Sequence, residues 1–145
     1  MRDRGRQVAM RERVLRPADV VAPVEVSASA PADGNSVTVV FAEGVKGFVA
    51  GDNGFALTAS GGAVTLTYSS GNGTNTIVFT TSRSLLQGET VTLAYTPGAI
   101  TDLVGNPLAA FSGASVTNNS EELGLNFATV PDSQYVYLLL EEYLM

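Results

Sequence analysis

From Val24 onward, apolar and polar residues alternate in short runs punctuated by Gly, Asn, Asp and Pro, the period-two texture of half-buried strands. Val24, Val26 and Ala28 alternate with Glu25, Ser27 and Ser29. After the turn residues Asp33, Gly34 and Asn35, one face carries Val37, Val39 and Phe41. The same alternation places Val64, Leu66 and Tyr68 on one face, and likewise Val91, Leu93 and Tyr95. Further strands are expected at residues 55–59, around Ile77 and Phe79, and over residues 113–117. The nine residues of the three triplets that begin at Val37, Val64 and Val91 are the expected core. Leu85 and Leu86 ahead of Gly88 predict one helical turn over residues 82–87. The loops 69–73 and 101–107 are expected to be the mobile parts.

Seven such strands, with β-branched residues on both faces and a turn signal about every ten residues, predict an all-β chain. The expected architecture is an immunoglobulin-like antiparallel β-sandwich over residues 24–120 with extended N- and C-terminal arms, 1–23 and 121–145. A closed barrel is the alternative, because alternation alone does not say whether two sheets face each other or one sheet closes.

Several runs share an order of motifs: SVTVVFAE from Ser36 to Glu43, GETVTLAYTPG from Gly88 to Gly98, ITDLVGN from Ile100 to Asn106, then Leu108-Ala109, Phe111-Ser112 and VTNN from Val116 to Asn119. Together they resemble the bacterial Ig-like repeat of the SwmB type, most specifically between Gly88 and Asn119. That resemblance implies an adhesive or stabilising module without catalysis, as found in repeats of bacterial surface proteins and in Ig-like domains on phage capsids, tails and fibres.

Composition narrows the chemistry. The 145 residues include no His, Cys or Trp, which removes imidazole bases, thiol nucleophiles and soft metal ligands. Carboxylates and hydroxyls remain, and no spacing pairs two acids for glycosidase work. The chain is expected not to be an enzyme and to need no cofactor or resident metal. A weak calcium reading joins the 101–107 loop to Asp52, Asn53 or Asp33, but the spacing matches no dedicated calcium loop, and such Asp and Asn residues more often stabilise turns. Lys46 is the one lysine available for an isopeptide crosslink, and its Gly44-Val45-Lys46-Gly47 setting reads as a flexible connection.

Charge is polarised. The net −6 divides into +4 over residues 1–16 and −10 over the remainder. Arg2, Arg4, Arg6, Arg11, Arg13 and Arg16 form a basic arm suited to multidentate contacts with carboxylate or phosphate. At the other end Tyr135, Tyr137, Leu138, Leu139, Leu140, Tyr143 and Leu144 form an apolar run that favours an interface. The acidic body and the absence of aromatics among the arginines argue against nucleic acid. No run reaches the roughly 18 apolar residues of a membrane span, and Asp19, Pro23 and Glu25 interrupt any signal-peptide core. The sequence therefore predicts a soluble protein made in the cytoplasm without an export signal. The expected role is a phage virion component, a capsid decoration or cement protein gripping the major capsid protein or its own copies in a homo-oligomer or lattice through these terminal residues. The alternative is a cell-surface adhesion module that binds glycan or matrix through its loops.

Overall fold

The computed structural model describes residues 17–122. These form eight strands and no helix: β1 (Glu25–Ala30), β2 (Ser36–Lys46), β3 (Phe55–Ala59), β4 (Leu66–Ser70), β5 (Thr74–Thr81), β6 (Val91–Tyr95), β7 (Thr101–Asp102) and β8 (Phe111–Asn118). The hydrogen-bonded order is β3-β6-β8-β1-β2-β5-β4, with β7 paired to β2. Every pairing is antiparallel except that of β1 with β8. The path folds over on itself, so that β3-β6-β8 face β2-β5-β4 and β1 is shared between the layers. Among the described residues the two ends of the path are joined by the isolated bridge Leu57–Val64, and the Tyr68 N–H of β4 donates to the Gly51 carbonyl ahead of β3 at 2.7 Å. This is the expected Ig-like sandwich; of barrel closure there is one bridge.

Burial of the alternating triplets drives the arrangement. Eight of the nine expected core side chains are buried, and Tyr68 is half-buried against the core. Strand-favouring Val, Ile, Phe and Thr fill these positions because a branched or aromatic side chain packs well on a pleated, half-buried surface. Phe55, at the start of β3, is the hub between layers. Its ring lies 4.7 Å from Tyr95, 5.0 Å from Phe79, 6.0 Å from Phe48, 6.2 Å from Phe111 and 6.5 Å from Phe41. Offset and edge-on contacts of this kind suit the quadrupoles of aromatic rings.

Four local expectations are corrected. Val24 and Val26 point to solvent although Ala28 is buried, because β1 carries one extra residue between its pairings Glu25–Phe41 and Ser27–Val40. Such a bulge reverses the alternation. It turns Glu25 half inward, where burial pushes its carboxyl above the ordinary value. Residues 44–46 are not a flexible connection: β2 runs on to Lys46, with Val45 fully buried and the Lys46 side chain in solvent. Thr101 and Asp102 form a short strand where a loop was expected. Finally, residues 82–87 make no helical turn. Arg83 grips Glu89 through both guanidinium nitrogens, at 2.7 and 3.1 Å, and Glu89 accepts the Leu86 N–H at 2.7 Å, so the connection is shaped by side chains. Leu85 is buried and Leu86 is 59% exposed.

The turn between β1 and β2 explains one glycine. Gly34 sits at φ 66°, and a β-carbon there would run into the Leu85 backbone and the Ser120 hydroxyl. Its carbonyl accepts the Leu85 N–H at 2.9 Å and the Thr81 hydroxyl at 3.2 Å, which binds this turn to the connection beyond β5.

Replacing Phe55 removes the ring that both layers share. Phe55→Ala is expected to cost about 3–5 kcal/mol in chemical denaturation, against less than about 0.5 kcal/mol for the exposed Leu86→Ala. Equal losses would contradict the hub.

Candidate functional site

The best-defined cluster of polar side chains among the described residues gathers around Asp102. β7 is aligned by pairing Val45 with Asp102 and Lys46 with Thr101, which turns the Asp102 side chain inward until it is fully buried. The next four residues then curl back over it. Its Oδ1 accepts the N–H groups of Val104, Gly105 and Asn106 at 2.9, 2.6 and 2.8 Å, and its Oδ2 accepts the Asn106 side-chain amide at 2.7 Å. The Asp102 N–H donates to the Asn106 carbonyl at 2.9 Å, Leu108 N–H to Ile100, and the Lys46 ammonium to the Leu103 carbonyl at 2.8 Å. Asp suits this position because only a short carboxylate accepts so many local donors at once.

Asn106 extends the cluster to a distant segment. The same amide also donates to the backbone carbonyls of Asp19 and Val21, at 3.0 and 3.1 Å. Residues that precede β1 are thereby fastened to a loop more than eighty positions later. One carboxylate oxygen from each of Asp19, Glu43 and Asp102 falls within 4.8 Å of the others; Asp19 is exposed, Glu43 intermediate and Asp102 buried.

The two inner acids respond in opposite directions. Burial pushes the Asp102 carboxyl up, but the hydrogen bonds from Asn106, Gly105 and Val104 outweigh it and hold the group below its ordinary value. Glu43 is raised, first by loss of hydration and then by the negative charges of Asp102 and Asp19. As a cation site the cluster is incomplete, since calcium takes roughly six to eight oxygens and Asp102 already spends both of its own on the loop. The arrangement acts as an anchor for a turn and for the chain ahead of β1.

The other calcium candidates do not join it. Asp33 accepts the Asn35 N–H, Asp52 accepts the Gly54 N–H, and Asn53, at φ 55°, exchanges hydrogen bonds with Val49. Each serves its own turn. Lys46, the isopeptide candidate, is exposed. Residues 69–73, expected to be mobile, are tied as well: Asn72 accepts the N–H groups of Gly47 and Phe48 and donates its own to the Tyr68 hydroxyl. The proposed partner-binding residues, Arg2, Arg4, Arg6, Arg11, Arg13 and Arg16 together with Tyr135, Tyr137, Leu138, Leu139, Leu140, Tyr143 and Leu144, lie outside the described residues. Sequence reasoning missed Asp19, Glu43 and the role of Asn106. The signal that was available is the Asp-x-x-Gly-Asn spacing from Asp102 to Asn106, which matches a side chain capping its own loop.

Two substitutions separate these roles. Asp102→Ala orphans three backbone donors, so it is expected to lower Tm and to speed amide exchange at Val104, Gly105 and Asn106 before the rest of the sandwich opens. Glu43→Gln is expected to raise Tm near neutral pH. A carboxyl whose folded pKa is raised penalises folding above that pKa, and the penalty disappears as pH falls and Glu43 takes its proton. The gain should therefore vanish in acid; a gain independent of pH would rule out charge repulsion as its source.

The profile of the bacterial Ig-like domain matches residues 19–129. Comparison with curated proteins gives no match. Among solved structures, the S-layer protein rSbsC(31-844) is similar with a TM-score of 0.59 and 22% identity, over 88% of this chain and 17% of that one. The N-terminal part of the bacterial S-layer protein SbsC is similar with a TM-score of 0.56 and 23% identity, over 79% of this chain and 26% of that one. The chain thus spans between a sixth and about a quarter of the proteins it resembles, and at these identities the likeness speaks for the fold. On the profile match, the chain belongs to the bacterial Ig-like domain family.

Proposed function

We propose that the protein is a non-enzymatic structural module of a bacterial cell-surface assembly. The observation that carries this reading is the recurrence of the fold as a small segment of S-layer proteins. Local chemistry agrees with it. Among the described residues the closest group of carboxylates is built around Asp102, whose oxygens are filled by its own loop, so they are committed to holding backbone in place. The polar side chains of the turns are spent in the same way.

A second reading, a decoration or cement protein of a phage virion, draws on the sequence ends. The arginines of residues 1–16 and the apolar run 135–145 are complementary to acidic and apolar surfaces on neighbouring subunits such as a major capsid protein. The two readings share a sandwich that contributes mass and stability, and they differ in what the ends grip.

Surface labelling with a membrane-impermeant amine or carboxylate reagent on intact producing cells, followed by mass spectrometry of the cell-envelope fraction, distinguishes them. Labelled protein in the envelope is the expected result. Its recovery in purified particles, with incorporation lost on truncating residues 1–16 or 135–145, would replace the surface reading with the virion one.

A further inference from the structure

β1 and β8 are parallel neighbours, paired Ala28 to Val116, Ser29 to Thr117 and Ala30 to Asn118. The ladder continues beyond both strands, since Asn119 N–H donates to the Ala30 carbonyl at 3.2 Å and Glu121 N–H to the Ala32 carbonyl at 2.8 Å. In a parallel pair the start of one strand and the finish of the other lie at opposite ends of their shared ladder. The chain accordingly enters the sandwich at one pole, ahead of Glu25, and leaves it at the other, beyond Asn118.

We propose that the domain is a mechanical tether, in which tension between its two poles is carried in shear by β1 against β8 and β2. Tension drawn through residues 17–24 pulls β1 along its axis in one direction. Tension drawn through residues 119–122 pulls β8 along its axis in the other. The bonds between the two strands lie across that force, so they share it and must fail together; the antiparallel bonds of β1 to β2, extended by Ala42 N–H to the Val24 carbonyl at 2.9 Å, are loaded in the same manner. Bonds pulled open from one end of a ladder fail one after another, at much lower force.

Each pole carries a side-chain anchor. Where the chain enters, the Asn106 amide holds the Asp19 and Val21 carbonyls and is itself held by Asp102. Where it leaves, the Asn118 amide donates to the Leu86 and Glu89 carbonyls at 2.8 and 3.2 Å, and Asn118 Oδ1 accepts both the N–H and the hydroxyl of Ser120. The segment that Asn118 grips is the one clamped by the Arg83–Glu89 ion pair. The entry anchor thus passes tension into the body of the fold before it reaches the ladder, and the exit anchor ties the last paired residue of β8 to that body. The property belongs to the domain and is independent of whether a cell or a particle bears it.

Forced unfolding reads the barrier along the pulling direction, so the test varies that direction while leaving the fold alone. The chain contains no Cys, and Ala18, Ala32 and Glu122 are exposed. Maleimide-linked handles are attached to the full-length protein at Ala18→Cys with Glu122→Cys, which loads opposite poles, or at Ala32→Cys with Glu122→Cys, which pulls apart two neighbouring points at one pole. In single-molecule force spectroscopy at one pulling speed, rupture across the poles is expected at several-fold higher force than rupture at the single pole. Equal forces, or a lower force across the poles, would overturn the proposal. Far-ultraviolet circular dichroism of both double variants, each matching the parent, assures that the comparison is made on the folded sandwich.

Discussion

The position of Phe55 between the layers is the constraint on which the rest of the fold depends. Among the described residues β3 has a hydrogen-bonded strand neighbour only in β6, apart from the lone bridge at Leu57, and a five-residue strand held along one side has little backbone support of its own. What holds it is the ring. Phe55 reaches across to Phe41 of β2 and Phe79 of β5 while lying against Tyr95 of its own layer. The layers are therefore fixed face to face by side chains whose strands are not hydrogen-bonded to each other. The turn that delivers Phe55 is correspondingly well specified, with Asp52 capping Gly54 and Asn53 in the left-handed region.

β1 supplies the complementary constraint, along the backbone. It is the one strand that both layers share, and its bulge serves that double pairing. Downstream of the bulge, Ala28 and Ala30 face the core, and their small size lets the strand lie close to both β2 and β8. Upstream, Val24 and Val26 are turned outward. A continuous alternation would have buried all four, and a shared strand at the seam of a sandwich does not have that much interior to face.

The sequence made the strands legible wherever two rules agreed, alternation and a turn signal at each end. That holds for β2, β3, β6 and the core triplets, where Val37, Val39, Val91 and Leu93 are buried as the period requires. Legibility failed where geometry depends on a partner strand. The bulge in β1 exists relative to β2, and two-residue β7 exists only because Val45 and Lys46 lie beside it. The connection 82–90 read as a helical turn because the spacing of Leu85, Leu86 and Gly88 is a local signal, whereas Arg83 and Glu89 outweigh it by a bidentate pair that spacing does not encode. The site was half legible. Asp102 and Asn106 stood out as turn residues, but Asp19 and Glu43 reach them from other strands and segments, a long-range meeting that no local pattern announces.

The Asp102 cluster also gives a physical reason for where the domain begins. Three carboxylates within reach of one another oppose folding, and Glu43 is raised first by loss of hydration and then by the charges of Asp102 and Asp19. The fold retains them because Asp102 has a positional task that a neutral residue would do less well: its charge strengthens the bonds from three backbone donors, which in turn point Asn106 at the chain ahead of β1. Asp19, whose carbonyl Asn106 takes, is also the first residue matched by the family profile. The family boundary and the first tertiary hydrogen bond among the described residues thus coincide. Repulsion at that pole is the cost of anchoring a segment that has only exposed side chains from residue 17 to Val21 and hence no burial with which to anchor itself.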